Sequence, residues 1–312
     1  KCTTTPYNKD AECPFWLKTL NLAFNGDQEL IDYMQRAIGY SITGSISEQC
    51  LFICWGEQGN NGKSTILETV QKIFGSYAQM SDMKVITSAE SDNRVASSLA
   101  KLPGVRIVSM NEAEENQKLS EALIKQITGG DTLQACKKFK EPFEFQPQFK
   151  LWIRTNEKPI IRGMSDAIWR RIKLIPFEVP IPVSERLRRD DVDQMLTDEY
   201  EGILNWCVQG AVKWNKKGLM DPKIVTAATS GYRTEMDIIQ SFYDECVIEA
   251  PDAYISRSEL YQTFSRWARE NGLRYIMTAD AFSKRLNKKL NCTERKKVRG
   301  QYVWQGIKLS EF

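Results

Sequence analysis

The segment from Leu51 to Thr65 constrains this chain more than any other. An apolar run, Leu51-Phe52-Ile53-Cys54-Trp55, leads directly into Gly56-Glu57-Gln58-Gly59-Asn60-Asn61-Gly62-Lys63-Ser64-Thr65. Ile66, Leu67, Val70 and Ile73 then recur at helical spacing. A buried strand, a glycine-rich turn and an amphipathic helix, in that order, are the parts of a P-loop, and they require an α/β fold around them. Glycines let successive backbone N–H groups curl around a polyanion, and the helix N-terminus adds partial positive charge. Gly59, Asn60, Asn61, Gly62, Lys63, Ser64 and Thr65 are therefore the candidate nucleotide-binding residues. Lys63 suits the β- and γ-phosphates of ATP, and the Ser64 hydroxyl suits Mg²⁺. Strict P-loop spacing places a glycine where Glu57 stands. Gly56 lies one residue further out, so this loop is one residue longer, with Gly59 inside it.

Three more apolar runs, 105–110, 149–153 and 172–177, alternate with helical stretches near 119–128 and 165–171. Alternation of this kind predicts a sheet of parallel strands. Residues 14–44 read as two helices separated at Gly26-Asp27, and 180–222 as mostly helical, closing at Gly218…Pro222. Beyond that lie helical stretches at 235–248, 257–271 and 279–290, then two strand-like stretches around Arg299-Gly300. Three helices and a terminal hairpin suggest a winged helix. The expected division is 1–45, a helical N-terminal region; 46–222, an α/β ATPase core; and 223–312, a basic winged-helix-like domain.

Among 312 residues there is no histidine. That removes the serine–histidine–acid triad, histidine-paired cysteine nucleophiles and histidine-bearing metal sites. The chemistry must then rest on carboxylates, lysine, arginine, backbone amides and a bound ion. The eight cysteines form no CxxC pair, so a zinc ribbon is not expected. Cys50 and Cys54 read as buried thiols of a reduced, cytoplasmic chain. No apolar run is long enough to span a membrane. The chain starts at Lys1 rather than Met, so an upstream part is expected.

ATP hydrolysis needs a carboxylate near the metal and the attacking water. The run 105–110 ends in Asn111-Glu112-Ala113-Glu114-Glu115. Glu112 is the candidate for activating water and for contact with Mg²⁺, with Glu114 second. Asn111 stands where many such enzymes place a metal-binding aspartate. Asn156, at the tip of the next apolar run, could hold the attacking water or touch the γ-phosphate. Arg170 and Arg171 cannot both face a core. One of them could reach a neighbouring subunit's ATP as an arginine finger.

The pieces that carry a family resemblance are Gly59 to Thr65; Arg106-Ile107-Val108-Ser109-Met110-Asn111-Glu112; Lys125-Gln126-Ile127-Thr128-Gly129-Gly130-Asp131; Leu151-Trp152-Ile153-Arg154-Thr155-Asn156; and Trp169-Arg170-Arg171-Ile172. In this order and spacing they resemble the superfamily 3 helicases, and more narrowly the helicase part of primase-helicases of phages, plasmids and poxviruses. The resemblance extends to the helices of 14–44, which look like that family's N-terminal collar, and to the C-terminal unit. It implies an AAA+ ATPase core, assembly as a homo-hexamer around single-stranded DNA, 3′→5′ movement, and an upstream primase or polymerase domain. It also implies a channel hairpin at about 132–147, carrying Lys137, Lys138, Phe139 and Lys140. Three lysines beside an aromatic ring suit a backbone-gripping contact indifferent to sequence. The implied setting is a bacterial host cell, with the protein encoded by a phage or mobile element.

Net charge is +3 overall, yet residues 250–312 carry 13 Lys and Arg against 6 Asp and Glu. Lys284, Arg285, Lys288 and Lys289 fall on one helical face, and Arg295, Lys296, Lys297 and Arg299 at the start of the wing. Lys284, Lys288, Lys296 and Lys297 are the candidate contacts to fork DNA. Two other readings stay open: an ATP-switched replication initiator or loader that does not unwind processively, and a small-molecule kinase. The basic C-terminal unit and the lysine hairpin speak against the kinase.

Overall fold

A computed structural model describes residues 1–87, 93–111, 117–273, 276–290, 296–298 and 300–310, without the side chains of 93, 94, 288 and 296. The chain divides into two compact units, Lys1–Arg233 and Thr234–Phe312. The division lies beyond the expected 222/223, because the helix from Lys223 buries Val225 and Tyr232 within the first unit. The helices of 1–45 likewise belong to that first unit.

In chain order, the first unit begins with α1 (Pro14–Ala23), α2 (Gln28–Ile42), β1 (Leu51–Trp55), α3 (Lys63–Phe74), β2 (Ala78–Ser81), α4 (Lys84–Thr87) and α5 (Asn93–Leu99). It continues with β3 (Ile107–Asn111), α6 (Glu121–Gly129), β4 (Leu133–Cys136), β5 (Pro142–Phe145), β6 (Lys150–Thr155), α7 (Asp166–Trp169) and β7 (Ile172–Pro176). It closes with α8 (Arg189–Asp198), α9 (Tyr200–Lys217) and α10 (Lys223–Glu235). The strands form a parallel sheet in the order β2-β3-β6-β1-β7. All four apolar runs read from the sequence lie in it. The edge strand β2 is additional, because Ala78-Gln79-Met80-Ser81 has no apolar run to mark it in the sequence.

Strands buried on both faces need helices on both sides. Phe52 and Trp152, on neighbouring strands, stack at 4.3 Å, and the Trp152 indole donates to the Ser41 hydroxyl of α2 at 2.9 Å. α2 runs against α9 at very close approach. A Cβ on Gly39 would lie 2.1 Å from the backbone of Gly210 and Ala211, so only glycine permits this crossing. The Glu199 carboxylate accepts from the backbone N–H groups of Phe15 and Trp16 at 2.8 Å each, capping α1 from a distance. Trp16 meets Trp206 edge-on at 5.5 Å, which ties α1 to α9.

The second unit holds α11 (Ile238–Cys246), β8 (Val247–Ser256), α12 (Arg257–Glu270), α13 (Ala279–Lys289), β9 (Lys296–Val298) and β10 (Gln301–Leu309). Its antiparallel sheet runs β8-β10-β9. The three helices and the terminal hairpin stand where the sequence placed them. β8 is additional, its alternation blurred by Pro251 and by exposed side chains. An aromatic core of Phe242, Phe264, Trp267, Phe282 and Trp304 holds the unit together, with Phe264 and Phe282 centred 4.6 Å apart. The Ser256 hydroxyl accepts from Glu259 N–H at 3.1 Å and caps α12.

Among the described residues, no helix is long and apolar enough to cross a membrane, and the cysteines are free thiols. Burial pushes the Cys54 thiol up to about 12, so it sits under the loop as a neutral group.

Candidate functional site

The loop 56–62 leaves the C-terminal end of β1, which lies between the central strand β6 and the edge strand β7. Gly56 passes so close to the chain after β7 that a Cβ would stand 2.2 Å from the Phe177 carbonyl oxygen. The extra residue of the loop is absorbed by Asn60, whose φ of 57° turns the chain, followed by Gly62 at 83°. Asn61 is buried and donates from one amide nitrogen to the carbonyls of Gln58 and Phe177, at 2.7 and 2.8 Å. The loop is thus tied down by side chain as well as by backbone.

Lys63, 6% exposed, opens α3. Its ammonium donates to the Gly56 carbonyl at 2.8 Å and to Asn156 Oδ1 at 3.0 Å. Burial lowers its pKa below the ordinary lysine value, while the neighbouring Cys54 works in the opposite direction. Asn156 comes from the tip of β6, next to β1 in parallel register, so the two tips meet. A cleft of about 460 Å³ lies over the loop, lined by Gly59, Asn60, Asn61, Lys63, Ser64 and, across from them, Glu68, Asn111, Arg154 and Asn156. Lys63, Ser64 and Asn156 are therefore brought together as the sequence anticipates. Glu112 and Glu114 lie outside the described residues. Asn111, immediately before Glu112, lines the cleft.

ATP and Mg²⁺ fit this donor set. The curled backbone and the Lys63 ammonium suit a triphosphate, and the exposed Ser64 hydroxyl at the head of α3 suits a metal already held by phosphate oxygens. Among the described residues no group of three or more histidine, cysteine, aspartate or glutamate side chains could hold a metal ion.

Two residues of the cleft escaped the sequence reading. Arg154 on β6 is only 7% exposed and bonds to Asn111 and Glu68. Glu68, on α3, also accepts from Arg189 of α8. Burial alone would raise the Glu68 carboxyl, but these two guanidinium groups bring it below the ordinary range. The available signal was a lone charge inside the run Leu151-Trp152-Ile153-Arg154-Thr155. A cation in a buried strand requires a partner.

Arg170 and Arg171 are placed at the other end of the sheet. They precede Ile172, which pairs with Leu51 at the start of β1, whereas the loop follows Trp55. At about 3.3 Å per residue the two ends are roughly 16 Å apart. Neither arginine lines this chain's own cleft. Arg171, 8% exposed, donates to the Thr128 hydroxyl at 3.0 Å and to the Ala167 carbonyl. Burial, and then the adjacent Arg170, lower its pKa. Arg170 is exposed and contacts Gln49 at 3.3 Å.

The stretch 132–147 is an antiparallel hairpin, β4 with β5, Leu133 facing Phe145 and Cys136 facing Pro142. Leu133 and Ala135 are buried, and Lys137, Lys138, Phe139 and Lys140 form the exposed turn. Phe139 is 92% exposed at a φ of 61°, with the Lys138 ammonium 5.0 Å from its ring. An aromatic residue in the left-handed region with its ring in water satisfies neither backbone nor burial.

In the second unit, Lys284 is exposed and lines a groove of about 580 Å³ with Arg257, Ser258, Tyr261 and Tyr302. Lys297 is exposed, with its ammonium 4.7 Å from the Tyr302 ring. The side chains of Lys288 and Lys296 lie outside the description. Of the basic residues expected on one face of α13, Lys289 turns to α11, where it bonds Gln240 and covers Tyr243 at 4.3 Å. A long aliphatic stem gains more by covering a ring than by standing in solvent.

Comparison with known proteins follows the same lines. Residues 54–171 match a family of unknown function, DUF5906, and residues 234–306 match a family described as poxvirus D5 protein-like. Two viral proteins named "Putative helicase" are similar. That of Acanthamoeba polyphaga mimivirus is 28% identical over 86% of this chain and 30% of its own length. That of Frog virus 3 is 26% identical over 77% of this chain and 26% of its own. The chain thus spans less than a third of the curated relatives it matches. The apo structure of the NrS-1 C-terminal region superimposes with a TM-score of 0.56 at 16% identity, covering 97% of this chain and 78% of the other, a likeness of fold.

Proposed function

We propose, for a chain that resembles the helicase part of a superfamily 3-type primase-helicase, that it hydrolyses ATP over the 59–65 loop and uses that energy to move along single-stranded DNA and separate duplex. The observation that carries this reading is the seat of Lys63: buried beneath the loop and bonded to Asn156, its ammonium is held where a terminal phosphate would meet both. Mg²⁺, held by Ser64 and phosphate oxygens, would neutralise charge developing on the β- and γ-phosphates. Glu112, one residue beyond the Asn111 that lines the cleft, is the base that activates water. Asn156 senses the γ-phosphate.

The position of Arg170 supports hydrolysis between subunits of a ring, a hexamer by resemblance. A residue at the far end of the sheet cannot serve its own cleft, and an exposed guanidinium can serve a neighbour's. Arg171 is bound into its own subunit, so Arg170 is the finger and Arg171 its support. The exposed Lys137–Lys140 turn grips single-stranded DNA in the channel. The second unit, read as a winged helix, meets fork DNA through Lys284, Lys288, Lys296 and Lys297. A primase or polymerase domain upstream, and a role in replicating a virus or mobile element in the host cytoplasm, complete the reading.

The test is ATP-driven displacement of a strand from forked DNA by wild type, Lys63→Ala and Lys138→Ala. Displacement by wild type and its loss in both variants supports the motor. ATP hydrolysis by a confirmed ring with no displacement replaces it with an ATP-switched initiator or loader.

A further inference from the structure

Asn111 occupies a position where a metal-binding carboxylate is the obvious expectation, and its surroundings are wrong for that task. β3 pairs with β6 so that Asn111 stands opposite Arg154. The Arg154 Nε donates to Asn111 Oδ1 at 2.9 Å, and Nη2 donates to the same oxygen. Nη1 donates to Glu68 Oε1 at 2.6 Å, and the second Glu68 oxygen takes Arg189. Two N–H donors on one amide oxygen use both of its lone pairs. That oxygen has nothing left for a cation, and the fixed guanidinium beside it repels one. The group Asn111 retains for the cleft is its NH₂. The assignment of oxygen and nitrogen follows from the same bonds, since a guanidinium has no acceptor for an amide N–H.

We infer that Asn111 acts in hydrolysis as an amide donor to the γ-phosphoryl group rather than as a metal ligand, and that Arg154 and Glu68 are positioning residues that fix its orientation. The inference rests on the ATPase reading above. Its physical basis is preorganisation: a donor aimed beforehand at developing phosphoryl charge costs no reorganisation when the bond breaks. Arginine is required because its planar fork holds the amide and the carboxylate at once, while a lysine would supply a single point charge. Burial limits the water that competes for Arg154, and Glu68 offsets its charge.

The experiment measures steady-state ATP hydrolysis against ATP and against Mg²⁺ for wild type, Lys63→Ala, Asn111→Asp, Arg154→Gln, Arg154→Lys and Glu68→Gln. Binding of a fluorescent ATP analogue is measured in parallel. Asn111→Asp keeps the shape and the bond to Arg154 but replaces the donor with a negative oxygen. It is expected to lower kcat by about 100- to 1,000-fold without lowering the Mg²⁺ concentration for half-maximal rate. Arg154→Gln and Glu68→Gln lower kcat in the same direction while analogue affinity stays within about threefold, and Arg154→Lys does not rescue. Asn111→Asp with Arg154→Gln is no worse than the poorer single variant, as residues acting as one unit require. Full activity in Asn111→Asp, or a reduced Mg²⁺ requirement, overturns this inference alone, provided wild type hydrolyses ATP and Lys63→Ala does not. Absence of hydrolysis by wild type removes the ATPase reading and this inference with it.

Discussion

At the C-terminal end of the parallel sheet, Lys63, Arg154 and Glu68 are buried or half-buried and direct their polar atoms at one another and at Asn111 and Asn156. At the N-terminal end Arg170 is exposed, and so is the hairpin turn 137–140. The first arrangement is finished within one subunit, ready for a small anion. The second suits contact with something outside the chain. The hairpin follows α6 directly, and α6 carries the Thr128 hydroxyl that holds Arg171. Two exposed features, proposed above to meet a neighbouring subunit and single-stranded DNA, therefore share a single helix as their footing.

The comparison can be broken most sharply at Arg170. Arg170→Ala should reduce hydrolysis by about 10³-fold or more, the usual contribution of an arginine finger. Mixing it with Lys63→Ala subunits should recover activity that neither has alone, read as phosphate release. No recovery would mean that the two ends of the sheet do not meet across subunits.

Lys63→Ala by itself should lower hydrolysis by roughly 10²- to 10³-fold, the scale of losing one preorganised charge contact. Far-UV dichroism should stay that of wild type, because the cleft's other bonds do not pass through Lys63.

At the hairpin the expected effect is smaller and its sign is divided. Phe139→Gly removes a stacking ring, which costs about 1–3 kcal/mol per base, or about 5- to 150-fold in single-stranded DNA affinity by fluorescence anisotropy. It also relieves a left-handed backbone worth about 1 kcal/mol, so the thermal midpoint should hold or rise. A falling midpoint with unchanged affinity would make Phe139 structural.

The subtlest test concerns Lys150, at the start of β6. Its ammonium donates to the carbonyls of Thr43, Ser45 and Gln148 at 2.6, 3.0 and 3.3 Å. Burial, then the charge of Arg106, push it down to about 7. A lysine lowered in the folded state stays protonated in the unfolded chain up to about 10.4. Between about 7 and 10.4 the unfolded state binds the extra proton, so stability should rise with pH across that window and level off below it. Denaturant midpoints measured from pH 6.5 to 9.5 should show this slope in wild type and its loss in Lys150→Met.

Much of this molecule was legible beforehand. The four mostly apolar runs are strands because each is too short for a helix and stands between helical stretches. The loop reads as a phosphate cradle because its glycine pattern, lysine and serine stand at a strand–helix junction. What escaped notice was weakly patterned or non-local. β2 has little apolar content and is a strand by virtue of pairing with β3. The basic face of α13 was drawn from helical spacing alone, without the ring of Tyr243 that captures Lys289. Arg154 and Glu68 are 86 residues apart, and no local rule brings them together.

The sequence by itself determined the class of fold, the glycine-rich loop at the strand–helix junction, the amide at the tip of β6 and the basic character of the C-terminal end. Each rests on short-range spacing, and spacing is a covalent fact. Only the tertiary structure decided that Lys63 meets Asn156, that Arg170 stands beyond reach of its own cleft, and that Asn111 gives its oxygen to Arg154. These depend on strand order and register, which arise from the packing of distant segments and leave no local trace in the chain.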